Sequence, residues 1–349
     1  MRPRKTENRD LPPGMYRRKR TRANGKVWEA LYYRDGSGKD IFLGNDLVKA
    51  KLKWAELEAK SVPKDLTIMK GIFDQYLLKI IPGKAARTQK DNIYELKQLR
   101  EVFDSAPIDA ITPAMIAQYR DSRTAKTRAN REIALLSHVF NTAREWGLTT
   151  KNNPCLGVRK NKEKPRDYYA NEAVWQAVYE EAADELKDAM DLAYLTGQRP
   201  ADVLSMRRDD IEGIYLLVSQ GKTGKRLRIM LQTNGVNNSL GTLLDRIMRR
   251  NSEHLSPFFI LNSNGKRLSW EMLRNRWQDA RESARAKAIG NKQPELANRI
   301  AQFQFRDIRP KAASEISDLT DASLLLGHSK EGITERVYRR VGAIAKPSK

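Results

Sequence analysis

The segment "LAYLTGQRPADVL" (residues 192–204) decides how the second half of the chain folds. A helix is predicted to run into Thr196 and to end at Gly197, because glycine suits the left-handed backbone of a helix C-terminus. Pro200 suits the first turn of a following helix, where no backbone N–H is required. Arg199 therefore lies at a predicted helix start, where free N–H groups and the helix dipole favour an anion.

Arg199 is thus a candidate phosphate ligand, since a guanidinium can bind a phosphate through two parallel hydrogen bonds. Asp202 follows three residues later and can orient Arg199 through an ion pair. Taken alone, a helix-start arginine with a local salt bridge explains this pattern better. An Arg-Pro pair recurs, however, at Arg309 in "FRDIRPKAASEI" (residues 305–316), and two such arginines can bind both non-bridging oxygens of one phosphodiester.

A β-hairpin is predicted from "GIYLLVSQGKTGKRLRIML" (residues 213–231), because two apolar strands flank a turn that contains glycine. Lys222 lies between two glycines in that turn and can protonate a leaving oxygen at the same phosphate. Taken alone, it is better explained as a solvated turn lysine. The "GKT" tripeptide lacks the earlier glycine of a nucleotide-binding loop, since Leu216 stands there, so no nucleotide site is predicted.

The composition favours a polyanionic partner. The chain has 65 Lys and Arg against 43 Asp and Glu, and its formal net charge of +22 makes nucleic acid the first candidate. A generally basic protein without such a partner is the alternative. The three histidines and one cysteine are scattered without metal-ligand spacing, and there is no Gly-x-Ser-x-Gly motif. We therefore predict a site of arginine, lysine, histidine and tyrosine, with neither metal nor cofactor.

The location is expected to be cytoplasmic, with no membrane partner. No apolar run approaches the roughly 20 residues of a membrane helix. The basic N-terminus lacks the apolar stretch of a signal peptide, and the single cysteine, Cys155, cannot form an intramolecular disulfide.

Residues 1–60 are predicted to form a small three-stranded β-sheet with one helix. The chain becomes strand-like from Met15, "VWEALYY" (residues 27–33) and "KDIFLG" (residues 39–44) supply further strands, and residues 46–60 have helical spacing. The basic start of this region is typical of segments that contact DNA. Its DNA-contact candidates are Arg2, Arg4, Arg17, Arg18, Lys19 and Arg20.

Residues 61–165 are predicted to form an all-helical domain, and residues 166–349 a mainly helical domain that contains the hairpin. The whole chain is therefore expected to be a multidomain α+β protein. Lys162 and Lys164 belong to the basic connector between these two domains and are candidates to lie along a DNA backbone. A solvated hinge explains the composition of the connector equally well.

The segment "LLGHSKEGITERVYRR" (residues 325–340) carries His328 and, ten residues later, Tyr338. Read alone, Tyr338 is a packing residue at the end of a helix. Beside two candidate phosphate-binding arginines and a candidate acid, it becomes a candidate nucleophile.

Together these motifs resemble the tyrosine recombinases, and among them the integrases of lambda-like phages. "TGQRPADVL" resembles the family's first arginine motif, "QGKTGKRLRI" its lysine hairpin and "LLGHS" its Leu-Gly-His box. The N-terminal sheet resembles the arm-type DNA-binding domain, residues 61–165 the core-binding (SAM-like) domain and residues 166–349 the catalytic domain. The residues at the family's catalytic positions are Arg199, Lys222, Arg309, His328 and Tyr338.

The resemblance implies a site-specific recombinase that integrates and excises DNA at att sites through a 3′-phosphotyrosyl intermediate. It implies that Tyr338 is the nucleophile, that Lys222 is the general acid and that the arginines and His328 stabilise the phosphoryl charge. It also implies that the partner is double-stranded DNA with core-type and arm-type sites, on which the protein assembles as a homotetramer. A DNA-bending accessory protein and an excisionase are the further partners that it implies, together with nucleoid association in a bacterial host.

Two features depart from the family. Arg306 stands where the family usually has a histidine, so it is a candidate phosphate ligand and the acceptor of the tyrosine proton is left open. The interval from His328 to Tyr338 is one residue longer than is usual. The alternatives are a cellular resolvase, a type IB topoisomerase and a non-catalytic DNA-binding protein.

Overall fold

The computed structural model describes residues 8, 10–21, 27–35, 38–61 and 67–340, and the chain divides into two units, Met1–Lys164 and Pro165–Lys349. Two of the DNA-contact candidates, Arg2 and Arg4, lie outside the described residues. Arg20 is described by its backbone alone.

The first unit begins with the three-stranded antiparallel sheet that the sequence predicts. A helix packs on one face of this sheet around a small core that includes Met15, Leu31 and Tyr33. On the other face, the register pairs Tyr16 with Tyr32 and Tyr32 with Phe42, so that three aromatic rings lie in a row. The elements are β1 (Met15–Thr21), β2 (Val27–Arg34), β3 (Asp40–Gly44) and α1 (Leu47–Ser61).

The rest of the first unit is helical, as predicted. Its helices enclose a core of large apolar side chains that includes Phe73, Tyr76, Leu99 and Phe140. One of these helices begins at Pro113, where the Thr112 side chain accepts the backbone N–H of Met115. The helices are α2 (Met69–Lys79), α3 (Ala86–Phe103), α4 (Pro113–Ser122) and α5 (Lys126–Glu145).

Within residues 165–340, the second unit packs around one larger core and contains two small sheets. The first sheet has the strand order β4 (Ile211–Glu212), β5 (Tyr215–Ser219), β6 (Arg226–Met230), and β5 and β6 form the predicted hairpin. The second sheet pairs β7 (Gln232–Thr233) with β8 (Val236–Asn237). The helices of this unit are α6 (Glu172–Glu180), α7 (Asp184–Thr196), α8 (Pro200–Val203), α9 (Ser239–Arg250), α10 (Trp270–Gly290), α11 (Pro294–Gln302), α12 (Ile308–Glu315), α13 (Leu319–Leu326) and α14 (Glu331–Ile333).

Helix α7 ends where the sequence predicts, with Gly197 in the left-handed conformation (φ 62°). A Cβ atom at Gly197 would lie 3.2 Å from side-chain carbons of both Leu325 and Leu326, so the ends of α7 and α13 approach each other closely. This approach brings the first arginine motif next to the Leu-Gly-His box. The multidomain α+β prediction is confirmed, and no helix in the described part of the chain is long and apolar enough to cross a membrane.

Candidate active site

Arg309 is the second residue of α12, and only 4% of its surface is exposed. Its Nη1 donates to the Gly197 carbonyl oxygen at 2.5 Å, and its Nη2 donates to the Leu326 carbonyl oxygen at 2.8 Å. Both acceptors lie at helix C-termini, where the helix dipole favours a cation. These bonds fix the guanidinium, while its Nε has no hydrogen-bond partner among the residues that the structure describes.

Arg199 lies at the N-terminus of α8, as predicted from Pro200, although α8 is a single turn. Its Nη1 donates to the Gln220 Oε1 at 3.3 Å and lies 3.8 Å from the Asp202 Oδ2. Asp202 is buried, and its Oδ1 accepts the backbone N–H of Gly221 at 2.9 Å. Asp202 therefore connects Arg199 to the turn of the β5–β6 hairpin, in addition to the local ion pair expected from the sequence.

Two buried glutamines, Gln198 and Gln220, join the three segments of the site and were not among the predicted residues. The Gln220 Nε2 donates to the Gln198 Oε1 at 2.7 Å and to the Leu326 carbonyl oxygen at 3.0 Å. The Gln198 Nε2 donates to the carbonyl oxygens of Thr196 and Leu325, both at 2.8 Å. The pair thereby ties the end of α7, the hairpin and the end of α13 together.

His328 follows Gly327 at the end of α13 and is half-buried. Its Nδ1 lies 2.8 Å from the Thr334 Oγ1, and its Nε2 lies 3.3 Å from the Arg309 Nη2. Because a guanidinium only donates, Nε2 is the acceptor and Nδ1 carries the hydrogen. Burial, followed by the positive charges of Arg309 and Arg199, lowers the pKa of His328 to about 4. The imidazole is therefore neutral at pH 7.

Tyr338 ends a π-helical turn, Thr334–Tyr338, in which the N–H of Arg339 donates to the first carbonyl oxygen of the turn at 2.9 Å. A π turn accommodates one residue more than an α-helical turn, so it absorbs the long interval noted in the sequence. The centre of the Tyr338 ring lies 4.8 Å from the centre of the His328 ring and 5.1 Å from the Arg309 Cζ.

Four predicted residues thus form one group, called the cluster below, which consists of Arg199, Arg309, His328 and Tyr338. Two fixed positive charges, a neutral imidazole and a phenol suit the binding of one phosphodiester and a displacement at its phosphorus. Among the described residues, no group of three or more His, Cys, Asp or Glu side chains is arranged to hold a metal ion.

Lys222 and Arg306 are the predicted catalytic residues that no contact joins to the cluster. Both side chains are exposed, Lys222 in the hairpin turn and Arg306 in the 3₁₀ turn Phe305–Asp307. Neither has a hydrogen-bond or ion-pair partner within the described ranges of the chain. The turn that carries Lys222 is nevertheless anchored at its base, because the Thr223 Oγ1 donates to the Gln220 Oε1 at 2.7 Å.

The basic candidates of the N-terminal sheet divide between its two faces, because side chains alternate along a strand. Arg17 and Lys19 point to one face and contact Glu29 at 3.1 and 3.6 Å. Arg18 points to the aromatic face, where its Cζ lies 4.5 Å from the centre of the Tyr32 ring. The aromatic face therefore presents a guanidinium together with stacked rings.

The connector candidates Lys162 and Lys164 are exposed and have no ion-pair partner in the portion of the chain described. The backbone beside them is docked on α5, since the Asn130 Nδ2 donates to the Asn161 carbonyl oxygen at 2.9 Å and the Asn161 N–H donates to the Asn130 Oδ1 at 2.8 Å. This part of the connector is thus attached to the helical domain of the first unit, with its lysines turned to solvent.

Comparison with known proteins gives matches along most of the chain. The sequence model described as "Phage integrase family" matches residues 169–343, half of the chain, and the one described as "Phage integrase, N-terminal domain" matches residues 77–162. The chain is 29% identical to the integrase of Enterobacteria phage 434 over 265 residues, which cover 69% of this chain and 71% of that protein. It is 25% identical to the integrase of Escherichia phage HK022 over 355 residues, which cover 95% of this chain and 94% of that protein.

The fold also matches a solved structure. A lambda integrase tetramer bound to a Holliday junction superposes with a TM-score of 0.64 at 22% sequence identity. The match covers 98% of this chain and 99% of that chain. At this level of identity, the likeness establishes a shared fold.

Proposed function

The chain belongs to the phage integrase family, as its motifs predicted, and on that premise we propose how its own residues carry out the reaction. It is a site-specific tyrosine recombinase, an enzyme that cleaves and joins DNA strands. We propose that it integrates and excises DNA at att sites through a 3′-phosphotyrosyl intermediate. The observation that carries the proposal is the packing of Tyr338 against both His328 and Arg309.

Tyr338 is the nucleophile in this proposal. Its phenolic oxygen forms a bond to phosphorus, the bond from phosphorus to the 5′ oxygen breaks, and that oxygen leaves with a proton as a 5′ hydroxyl. One ester is exchanged for another, so the energy of the phosphodiester is retained in the 3′-phosphotyrosyl bond. Attack by the 5′ hydroxyl of a partner strand reverses the step and exchanges the strands.

Arg199 and Arg309 bind the non-bridging oxygens of the scissile phosphate and stabilise the charge that develops on them. Arg309 is held by two carbonyl oxygens before DNA arrives, so little rearrangement accompanies phosphate binding. Asp202 supports Arg199 by holding the hairpin turn against it.

The proton of Tyr338 needs an acceptor, and we assign that role to His328. Arg199, Arg309 and Arg306 cannot accept it, because a guanidinium only donates hydrogen bonds. His328 is neutral because its pKa is about 4, and its Nε2 lone pair faces Arg309. The lone pair can exchange its 3.3 Å hydrogen bond from Arg309 for the phenol, while the two bonds from Arg309 to the carbonyl oxygens stay in place. The imidazolium that forms can then donate a hydrogen bond to the phosphoryl oxygen.

Lys222 is the proposed general acid that protonates the 5′ oxygen. Its exposure in the hairpin turn leaves it able to move towards a bound strand, while Gln220 and Asp202 hold the base of that turn. Arg306 occupies the position of the family's usual histidine and is proposed to donate a hydrogen bond to the phosphate. DNA would bring both side chains into the site.

The proposed partner is double-stranded DNA with core-type and arm-type att sites. Lambda integrase has been solved as a tetramer bound to a Holliday junction and as a dimer bound to a COC′ core site. We propose a homotetramer for this chain, with a DNA-bending accessory protein and an excisionase, acting in the cytoplasm of a bacterial host in association with the nucleoid. The proposed DNA-contact residues are Arg2, Arg4, Arg17, Arg18, Lys19, Arg20, Lys162 and Lys164.

The test is covalent trapping on a nicked duplex made from the attachment junction beside the gene. The nick lets the cleaved end diffuse away, so the adduct accumulates and is visible on a denaturing gel. The wild-type protein is expected to form the adduct, and Tyr338→Phe is expected to form none. Salt-dependent DNA binding by the wild-type protein without any adduct would instead indicate a non-catalytic DNA-binding protein.

A further inference from the structure

The backbone around Tyr338 is held by groups that the proposed chemistry does not use. Ser314 lies near the C-terminal end of α12, and its Oγ donates to the Tyr338 carbonyl oxygen at 3.1 Å. The same Oγ accepts the backbone N–H of Arg340 at 2.9 Å. One hydroxyl thus links residues 338–340, named the nucleophile segment here, to the helix that carries Arg309.

The Arg340 side chain is a second attachment, and only 10% of it is exposed. Its Nη1 donates to the Tyr168 carbonyl oxygen at 2.6 Å and lies 3.4 Å from the Asp307 Oδ1. A buried guanidinium is costly unless polar partners surround it, so these contacts define where the side chain can lie. Because Arg340 is two residues after Tyr338, they also limit where the tyrosine can lie.

Asp307 is itself held rigidly, with 1% of its side chain exposed. The Arg166 Nε and Nη2 donate to its two oxygens at 2.7 and 2.5 Å, a bidentate arrangement. The backbone N–H of Gln304 also donates to it, at 2.9 Å. Asp307 precedes Arg309 by two residues, so the carboxylate that holds Arg340 is tied to the same helix as the phosphate ligand.

The π turn that precedes these attachments is less restrained than they are. Thr334 at the start of the turn is buried, whereas Glu335, Arg336 and Val337 are exposed, so burial does not hold the part of the turn next to Tyr338. In-line attack needs the reacting atoms within about 3–3.5 Å, and a shift of about 1 Å can cost a hundredfold in rate. The tyrosine therefore needs restraint from its C-terminal side.

We propose that Ser314, Asp307 and Arg340, named the clasp here, are positioning residues that hold Tyr338 in line with the scissile phosphate. The clasp touches neither the phosphate nor the phenol and acts through the backbone of the nucleophile segment. This inference rests on the proposed function, because it assumes that Tyr338 is the nucleophile.

The first test compares Arg340→Ala with the wild-type protein on the nicked duplex in a single turnover. Adduct formation is expected to slow by about 10- to 100-fold, while the Kd for DNA changes by no more than about twofold. Arg336→Ala is the matched control, since it removes the same charge two residues before Tyr338 from an exposed side chain. It is expected to stay within about threefold of the wild-type rate.

A second test separates positioning of the tyrosine from damage to the phosphate site. Hydrogen peroxide supplies a small nucleophile whose oxygen can attack phosphorus in place of the phenol, with the same 5′ hydroxyl leaving. Peroxide-dependent cleavage is expected to be equal for Tyr338→Phe and for the double variant Tyr338→Phe/Arg340→Ala. A double variant that loses this cleavage would overturn the proposal, because the clasp would then serve the phosphate site.

Ser314→Ala provides a milder variant that removes one hydroxyl, in case Arg340→Ala does not fold. It is expected to lower the rate of adduct formation about tenfold and to leave the Kd for DNA unchanged. A wild-type rate for Ser314→Ala, or for a folded Arg340→Ala, would sink the proposal. Failure of the wild-type protein to form any adduct is a different result and would contradict the proposed function itself.

Discussion

Arg309 and Lys222 both match family motifs and both carry one positive charge, yet their surroundings are opposite. Arg309 is buried and held by the carbonyl oxygens of two helix ends. Lys222 is exposed in a hairpin turn, with no ion-pair partner among the described residues. The cluster around Arg309 is thus assembled within the protein, whereas in the proposed mechanism Lys222 reaches its place only when DNA is bound.

The proposed site therefore has one part that is fixed before DNA binds and one part that is not. A charge fixed before the substrate arrives stabilises the transition state without rearrangement, and its loss damages both fold and rate. A mobile acid contributes only when it reaches the leaving oxygen, so its loss should alter the rate alone. Variants of the two residues should therefore differ in whether they change stability as well as rate.

Replacement of Arg309 should have the largest effect. Arg309→Lys keeps the charge but loses the planar fork that joins Gly197 to Leu326. We expect adduct formation to fall by about 10³-fold and the free energy of unfolding to fall by roughly 1–3 kcal/mol. Single-turnover cleavage and urea unfolding measure the two quantities. A rate within tenfold of wild type would show that the fork is not required.

Lys222→Ala should slow cleavage by about 10²–10³-fold without changing the Tm, because the side chain is exposed. A substrate with sulfur at the bridging 5′ position sharpens the test, since a thiolate leaves without being protonated. The variant is expected to recover on this substrate to within about tenfold of the wild-type rate.

Lys225→Ala is the matched control for this prediction, because Lys225 is exposed in the same turn. It should cleave within about threefold of wild type on both substrates. If Lys222→Ala remains slow on the sulfur substrate, the lysine is not the general acid.

Arg306 should have an intermediate effect, because its proposed contribution is one hydrogen bond to the phosphate. Arg306→Ala is expected to slow cleavage about tenfold, whereas Arg306→His should remain within about threefold of wild type, since either side chain can donate. Both variants should keep the wild-type Tm, given the exposure of this residue. A collapse of cleavage in Arg306→His would reveal a role that only arginine can fill.

The smallest effect concerns the pH dependence of stability. The pKa of His328 is about 4 in the folded protein, against an ordinary value of 6.5. Between these values the unfolded chain binds more protons, so His328 stabilises the fold above pH 6.5 and that contribution is lost as the pH falls towards 4. In urea unfolding, the free energy of unfolding of the wild-type protein should fall more steeply than that of His328→Asn as the pH is lowered from 6.5 to 4. Equal pH dependences for the two proteins would refute the pKa shift of His328.

Local patterns in the sequence were sufficient for much of the fold. Gly197 and Pro200 marked the helix ends on either side of Arg199, and two apolar strands marked the hairpin, because these signals depend on a few neighbouring residues. The sequence could also have predicted that Arg17 and Arg18 point to opposite faces of the sheet, because successive side chains alternate along a strand. Both were instead predicted as equivalent DNA contacts.

The residues that hold the site together could not be predicted from local sequence patterns. Gln198 contacts the backbone of Leu325, and Asp307 contacts Arg166, across more than one hundred residues of chain. No local period marks such pairs, and glutamine is a common surface residue. Their only signal was position, since Gln198 immediately precedes Arg199 and Asp307 lies two residues before Arg309.

The most direct measurement is identification of the residue that carries the DNA after trapping. The adduct can be digested with protease and nuclease, and the modified peptide can be sequenced by mass spectrometry. We expect a nucleotide linked through phosphate to Tyr338. A nucleotide on Tyr168, Tyr194 or Tyr215 would contradict it.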